Sequence, residues 1–376
     1  MIYILIMEKK NLFYLIIIGF LFLLIYCLVA VYAYFDYKRF KQYLFNNSED
    51  LEFHYNYSNK VNHLRSQKYD GKSTGYFFNN ISDVKSQKKI LFLGDSWFDQ
   101  IGLEKYKESK KSLKEFSIKN DFQIINGGVT SFSPSLMHVQ YNILKKDFNI
   151  KPSILILYID QTDIGDEYCR YRERKIYDNK KNLISIERFD FDKQIFNGLK
   201  IYEYSKIKLN DNYILKFINL SNFTIQYFFN KNFFRIKKII KHGWRTGDER
   251  NYYKCRFKVI KSFLDNKNLK ADKYFKKTLI EFFDNLENQK NLKKIIITSF
   301  PHRDHVKNIY QNNVSFLIDD VLEKYGNKFY HLNFSDNSYK DFDLNQLYVV
   351  GDEASHLNPK YHNEIFIKEI IKKINF

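Results

Sequence analysis

The chain has 376 residues, enough for one large domain or two ordinary ones, and its 44% hydrophobic content excludes a mainly disordered protein. Lys and Arg total 61 against 43 Asp and Glu, a net charge of +18. Lysine is spread along the whole sequence beside Ile, Asn, Phe and Tyr, so the charge reads as a solvated surface, and with no nucleic-acid motif a nucleic-acid partner is not expected.

From Asn11 to Phe35 the chain carries no charge and has roughly the 20 apolar residues that cross a bilayer. This predicts a transmembrane anchor after a flank at 1–10. A cleaved signal peptide competes through Val31-Tyr32-Ala33, but the apolar run exceeds the usual 7–15 residues of a signal h-region, taken as about that length. Met7, followed by Glu8, Lys9 and Lys10, is an alternative start. Lysines flank both ends, Lys9 and Lys10 on one side and Lys38, Arg39 and Lys41 on the other, so charge counting leaves the orientation open. Cys27 lies inside this run; only Cys169 and Cys255 remain to pair, and nothing in their spacing decides whether they do or gives them metal-ligand character.

Residues 36–87 are polar and aromatic with little periodicity, as in a stalk. At Lys88 the character changes: KKILFLGDS is a short apolar run ending in Gly, the pattern of a buried parallel strand feeding a loop. Runs at Ile124, Ser153, Lys293 and Lys328 repeat it, with gaps long enough for crossover helices, and Pro359–Ile374 carries apolar residues at helical spacing. The expectation is an α/β domain over 88–376, interrupted by a largely helical insertion or lid at about 175–287. Ligands in such folds lie beyond the carboxyl ends of the strands.

Chemistry-bearing residues fall at those ends. Gly94-Asp95-Ser96 follows the first strand directly, which presents the Ser96 hydroxyl on a strand-to-helix turn. Near the other terminus His356 follows Glu353 by three residues and Asp352 by four, so either acid can orient the imidazole and stabilise its charged form. Ser299-Phe300-Pro301-His302-Arg303-Asp304-His305 ends another strand. With Asp95, the residues His302, Arg303 and His305 are candidate substrate-binding groups; His302 or His305 as base lacks an acid at matching spacing, and no further metal-ligand set accompanies them.

These blocks resemble the SGNH, or GDSL, hydrolase superfamily, whose members carry GDS on the first strand and D-x-x-H-L before the last helix. The resemblance runs over about Lys88–Phe376. It implies an SGNH-type (flavodoxin-like) three-layer sandwich with a central parallel sheet, a serine nucleophile at Ser96, a base at His356 and no cofactor. At the family spacing the acid is Glu353, narrowly favoured here over Asp352. Asn126-Gly127-Gly128-Val129 resembles the second family block, which makes Gly128, with Ser96, an expected oxyanion amide. Where the family has G-x-N-D, this chain reads Asp160-Gln161-Thr162-Asp163. Thr162 therefore replaces the Asn donor, with Gln161 adjacent as an alternative. By analogy, anchored members imply an O-acetyl esterase or O-acetyltransferase acting on a bacterial cell-surface glycan, held in the cytoplasmic membrane with its catalytic domain outside. Two other readings stay open: an inactive glycan-binding or assembly scaffold, and a lipase or thioesterase on membrane lipids.

Overall fold

The structure, a computed structural model, describes residues 2–44, 57, 67–69, 72–74, 78–186, 247–267, 269–303, 306, 312–334, 339, 342–352 and 355–375. The chain divides into two compact units, Met1–Leu51 with Lys193–Gly247 and Glu52–Asp192 with Asp248–Phe376.

In the first unit the described element is helix α1 (Ile2–Leu44). Within it Leu12–Tyr32 is apolar on every side, with its large side chains exposed, and is long enough to cross a membrane.

The second unit is a mixed α/β body. In chain order its elements are β1 (Gln67–Tyr69), β2 (Lys72–Thr74), β3 (Asn79–Asn80), β4 (Lys89–Gly94), α2 (Ser96–Asp99), α3 (Lys107–Asn120), β5 (Gln123–Gly128), α4 (Pro134–Asp147), β6 (Ile154–Tyr158) and α5 (Gln161–Asp166). They continue with β7 (Lys175–Tyr177), β8 (Leu183–Ile186), α6 (Gly247–Leu264), α7 (Leu269–Glu287), β9 (Lys294–Ser299), α8 (Val314–Leu322), β10 (Phe329–Asn333), α9 (Leu344–Leu347) and α10 (Lys368–Asn375).

The central sheet has the order β10-β9-β6-β4-β5-β3, parallel except for β3. The chain goes from β4 to β5 on one side and then to β6 on the other, so the connections reverse at β4 and open a crevice at its carboxyl end. Strand periodicity sorts the core into two faces. Leu91, Leu93, Ile125, Leu155, Leu157, Ile295 and Ile297 pack with α4, α7 and α8. Ile90, Phe92, Ile124, Ile154, Ile156 and Ile296 pack with α3 and the C-terminal helical segment through Phe366, Ile367 and Ile370. Both faces being covered is why these strands are apolar throughout.

Two sequence boundaries shift. The stretch assigned as stalk enters the sheet at its end: Asn79–Asn80 pair antiparallel with β5, and the Ile81 N–H donates to the Ile124 carbonyl at 2.9 Å. The stretch read as a helical insertion opens with an antiparallel hairpin, β7–β8, and ends in two helices, of which α7 is the crossover onto β9. Phe275, Leu279, Phe282, Phe283 and Leu286 of α7 are fully buried, so this segment belongs to the core layer and not to a lid. Residues 187–246 of that insertion lie outside the described residues.

Candidate active site

Gly94 ends β4 where a side chain has no room: an added Cβ would lie 2.9 Å from both Phe98 Cδ2 and Tyr158 Cβ. The tight turn lets α2 begin at once, with the buried Asp95 as N-cap, its Oδ1 accepting from the Trp97 N–H at 2.9 Å. Trp97 is locked by stacking on Tyr158, ring centroids 4.8 Å apart. Ser96, between a capped residue and a packed indole, has its hydroxyl at the crevice.

His356 reaches it from the other end of the chain. Its Nε2 lies 2.7 Å from Ser96 Oγ, and its Nδ1 is hydrogen-bonded to the carboxylate of Asp352. A backbone loop fixes this geometry. The Val349 N–H donates to the His356 carbonyl at 2.9 Å, Tyr348 and Leu357 form an antiparallel bridge, and the Tyr106 hydroxyl donates to the Leu357 carbonyl at 3.0 Å. Gly351 at φ +76° and Ser355 at φ +56° turn the chain so that Asp352 and His356 face each other. The acid held on the imidazole is thus Asp352, one position further away than the family spacing; Glu353 lies outside the described residues.

Asp95, Ser96, Asp99, Thr130, Thr162 and His356 line a cavity of roughly 400 Å³, with Gln100, Leu103, Ser131, Asp166 and Arg256 completing it. Among the described residues Leu103 is the sole aliphatic one of that wall.

The other residues expected at this wall take different places. Gly128 is not in it: its N–H donates to Asn126 Oδ1 at 3.0 Å, and an added Cβ would lie 2.4 Å from Asp99 N. The glycine is there because α2 runs hard against β5, a contact also made by Asn126 Nδ2 donating to the Phe98 carbonyl at 2.8 Å. Thr162 does line the cavity, but its single hydroxyl proton goes to Asp160 Oδ1 at 2.6 Å, and Gln161 is buried outside it. Asp160 and Asp163 close a reciprocal capping box at the start of α5, which is what this acid-rich block does locally. Finally, His302 and Arg303 do not reach the cavity; Arg303 donates to Asn345, and the neighbouring Pro301 carbonyl accepts from Tyr348. His305 lies outside the described residues.

The residue that sequence reasoning missed is Ser131. It lines the cavity at φ +65°, a conformation costly for a non-glycine residue, and its N–H has no partner among the described residues. The surroundings hold it there. Tyr171 donates to the Ser131 carbonyl at 2.9 Å, and the fully buried Glu167 accepts from Ser133 Oγ, Ser135 N and Ser135 Oγ at 2.6–2.7 Å. A serine among serines gave no signal of that backbone conformation. His362 was also missed. It is fully buried, accepts from or donates to Ser109 Oγ at 2.8 Å and sits 3.2 Å from the Trp97 carbonyl; that carbonyl requires a proton on Nε2, so Nδ1 accepts from Ser109. Burial pushes its pKa down to about 3, so it is a neutral core residue bracing α2.

Among the described residues, Asp95, Asp160 and Asp163 bring carboxylate oxygens within 4.8 Å of one another, a spacing a cation could bridge. Burial, then repulsion from Asp160, pushes Asp95 and Asp163 well above the usual carboxylate range.

Behind the cavity, the Cys169–Cys255 disulfide, Cα atoms 5.9 Å apart, ties the segment following α5 to α6. One residue beyond Cys255, Arg256 Nε donates to Asp166 Oδ1 at 2.8 Å, and the Tyr252 hydroxyl bonds the same oxygen.

No family model and no curated protein matches the chain. Among solved structures it is similar to LAE5, an alpha/beta hydrolase enzyme from the metagenome of Lake Arreo, Spain, with 10% identity over 74% of this chain and 90% of that one, at a TM-score of 0.37. It is also similar to a catalytic mutant of Axe2, an acetylxylan esterase from Geobacillus stearothermophilus, with 12% identity over 78% and 96% and a TM-score of 0.38.

Proposed function

We propose that this chain is a serine acyl hydrolase or acyltransferase, anchored in the cytoplasmic membrane by α1, that works by an acyl-Ser96 intermediate. The observation that carries the reading is the relay Asp352–His356–Ser96, with Nε2 at 2.7 Å from Oγ. In the reaction Ser96 Oγ attacks the ester carbonyl carbon while His356 takes its proton and the carbonyl π pair moves onto oxygen. Collapse expels the alcohol, protonated by His356, and leaves the acyl-serine. Water or an acceptor hydroxyl, deprotonated by the same imidazole, then attacks it and releases Ser96. Asp352 keeps the proton on Nδ1 and stabilises the imidazolium. The backbone amides of Ser96 and Ser131 are assigned to the developing oxyanion.

A hydroxyl-rich substrate fits this cavity better than a lipid. Among the described residues its wall carries Asp, Ser, Thr, Gln, Arg and His side chains that can hydrogen-bond the hydroxyls of a sugar. We therefore favour a cell-surface glycan over membrane lipid, O-acetylated where it is the substrate of an esterase and bearing the free hydroxyl where it is the acceptor of a transferase. The Cys169–Cys255 bond supports placing the enzyme domain outside the cytoplasm, where disulfides persist.

The test is p-nitrophenol release from an acetyl and a long-chain ester by the full-length protein in detergent, beside Ser96→Ala. Turnover of the acetyl ester lost in the variant supports the reading. Preference for the long chain would transfer it to lipids, and equal rates for both proteins would remove Ser96 from the chemistry.

A further inference from the structure

Beside the backbone amides of Ser96 and Ser131, the cavity can take a third oxyanion donor from one residue outside the parallel-sheet core. An oxyanion forming on the carbonyl needs N–H or O–H groups aimed at it. The Thr162 hydroxyl is engaged by Asp160, the Gly128 amide by Asn126, and Gln161 is buried away from the cavity. Arg256 lines the same cavity as Ser96, Thr162 and His356. It has five N–H donors in a planar fork, of which the Nε one goes to Asp166.

Arg256 is held in place by more than this ion pair. The adjacent Cys255 is bonded to Cys169, and Asp166, nearly fully buried on α5, also takes the Tyr252 hydroxyl one helical turn earlier. Gly165 leaves the space it passes through: a Cβ there would lie 2.7 Å from Arg256 Cγ. The arginine side chain is 25% exposed, against 2% for its partner Asp166, so the fork is fixed at one edge and open at the other.

We propose that Arg256 is a catalytic residue of the acyl-transfer reaction, donating from its terminal amino groups to the carbonyl oxygen of the substrate as that oxygen becomes an oxyanion. The role rests on the acyl-Ser96 reading. No proton is transferred by Arg256: the serine proton goes to His356, the π pair goes to the carbonyl oxygen, and the guanidinium holds that oxygen by hydrogen bonds until collapse. This gives the segment that follows the hairpin, through α6 and its disulfide, a part in the chemistry.

The experiment uses the full-length protein in detergent with p-nitrophenyl acetate, which carries no anionic group that an arginine could bind in the ground state. Arg256→Ala should lower kcat about 10²–10³-fold with KM within about twofold, as for loss of one oxyanion donor. Added guanidinium ion should restore part of the rate, and Thr162→Asn in the Arg256→Ala background, which puts an amide on the same wall, should restore more. Arg256→Lys, which keeps the charge beside Asp166 and guards against misfolding, should retain an intermediate rate. Unchanged kcat in Arg256→Ala, or a loss that neither guanidinium nor Thr162→Asn relieves, would overturn the assignment and leave Arg256 as a brace for α6. The two readings fail differently. Turnover independent of Ser96 would overturn both, whereas Ser96-dependent turnover indifferent to Arg256 would overturn this one alone.

Discussion

His356 Nε2 stands 2.7 Å from Ser96 Oγ although the two residues are 260 positions apart. Their meeting depends on the sheet order, which puts the carboxyl end of β4 at the reversal point, and on the 348–357 loop that folds back over it. Disturbing the supports of that contact should therefore change the chemistry in ways that kinetics can separate.

Asp352→Asn should lower kcat for p-nitrophenyl acetate by about 10²–10⁴-fold, because the amide favours the wrong imidazole tautomer and leaves the imidazolium uncompensated. Glu353→Gln should leave kcat within about threefold, because the Nδ1 side of the imidazole is already held by Asp352. Steady-state kinetics on both variants checks the pair, and the opposite ranking would return the acid role to Glu353.

Ser131 keeps its strained backbone through Tyr171 and Glu167. Tyr171→Phe removes one hydrogen bond, worth about 1 kcal/mol. It should lower kcat several-fold with KM unchanged, since a looser Ser131 amide affects the oxyanion more than the bound ester. A change in KM alone would place Ser131 in substrate binding instead.

How much of this was legible beforehand follows from what sequence patterns encode. Apolar runs fixed by burial on both faces announced the parallel strands, and GDS and His356 marked the candidate nucleophile and base, while the acid was narrowly expected at Glu353, one position from the Asp352 that bonds Nδ1. Gly128 is ambiguous for a physical reason: a glycine demanded by close packing against Asp99 looks the same in sequence as one demanded by a ligand. Ser131 and Arg256 were invisible because their roles come from tertiary placement, a positive φ imposed by neighbours and a helix delivered by a disulfide. The hairpin β7–β8 was hidden by a lysine- and asparagine-rich composition that carries no clear period.

Reduction of Cys169–Cys255, or its replacement by Ser at both positions, opens an 86-residue loop. Chain-entropy reasoning puts the stabilisation lost at about 4.6 kcal/mol. Thermal unfolding with and without reductant should show a clear fall in Tm of the native protein and none in the double variant. If Arg256 acts as proposed, activity well below Tm should fall as well.

Stability should also depend on pH through His362. Burial lowers its folded pKa to about 3 while an exposed histidine titrates near 6.5, a reference of about that value. Its folded pKa is depressed, so the unfolded chain binds the proton first as the solution is acidified. The stabilisation is complete above about pH 6.5 and is lost progressively between there and about pH 3. Denaturant titrations from pH 7.5 to 4.5 should therefore fall more steeply for the native protein than for His362→Gln, which has no ring to protonate. Equal slopes would mean that His362 does not set the acid limit.

The most direct test of the central claim is to trap the intermediate. The full-length protein in detergent is mixed with p-nitrophenyl acetate, quenched in acid within the first turnovers, digested and analysed by mass spectrometry. An acetyl group on the peptide at Ser96, accumulating further in Asp352→Asn if deacylation slows and missing from Ser96→Ala, is the predicted result. Acetylation elsewhere that persists in Ser96→Ala, or turnover with no acetylated Ser96 in either form, would contradict an acyl-serine mechanism.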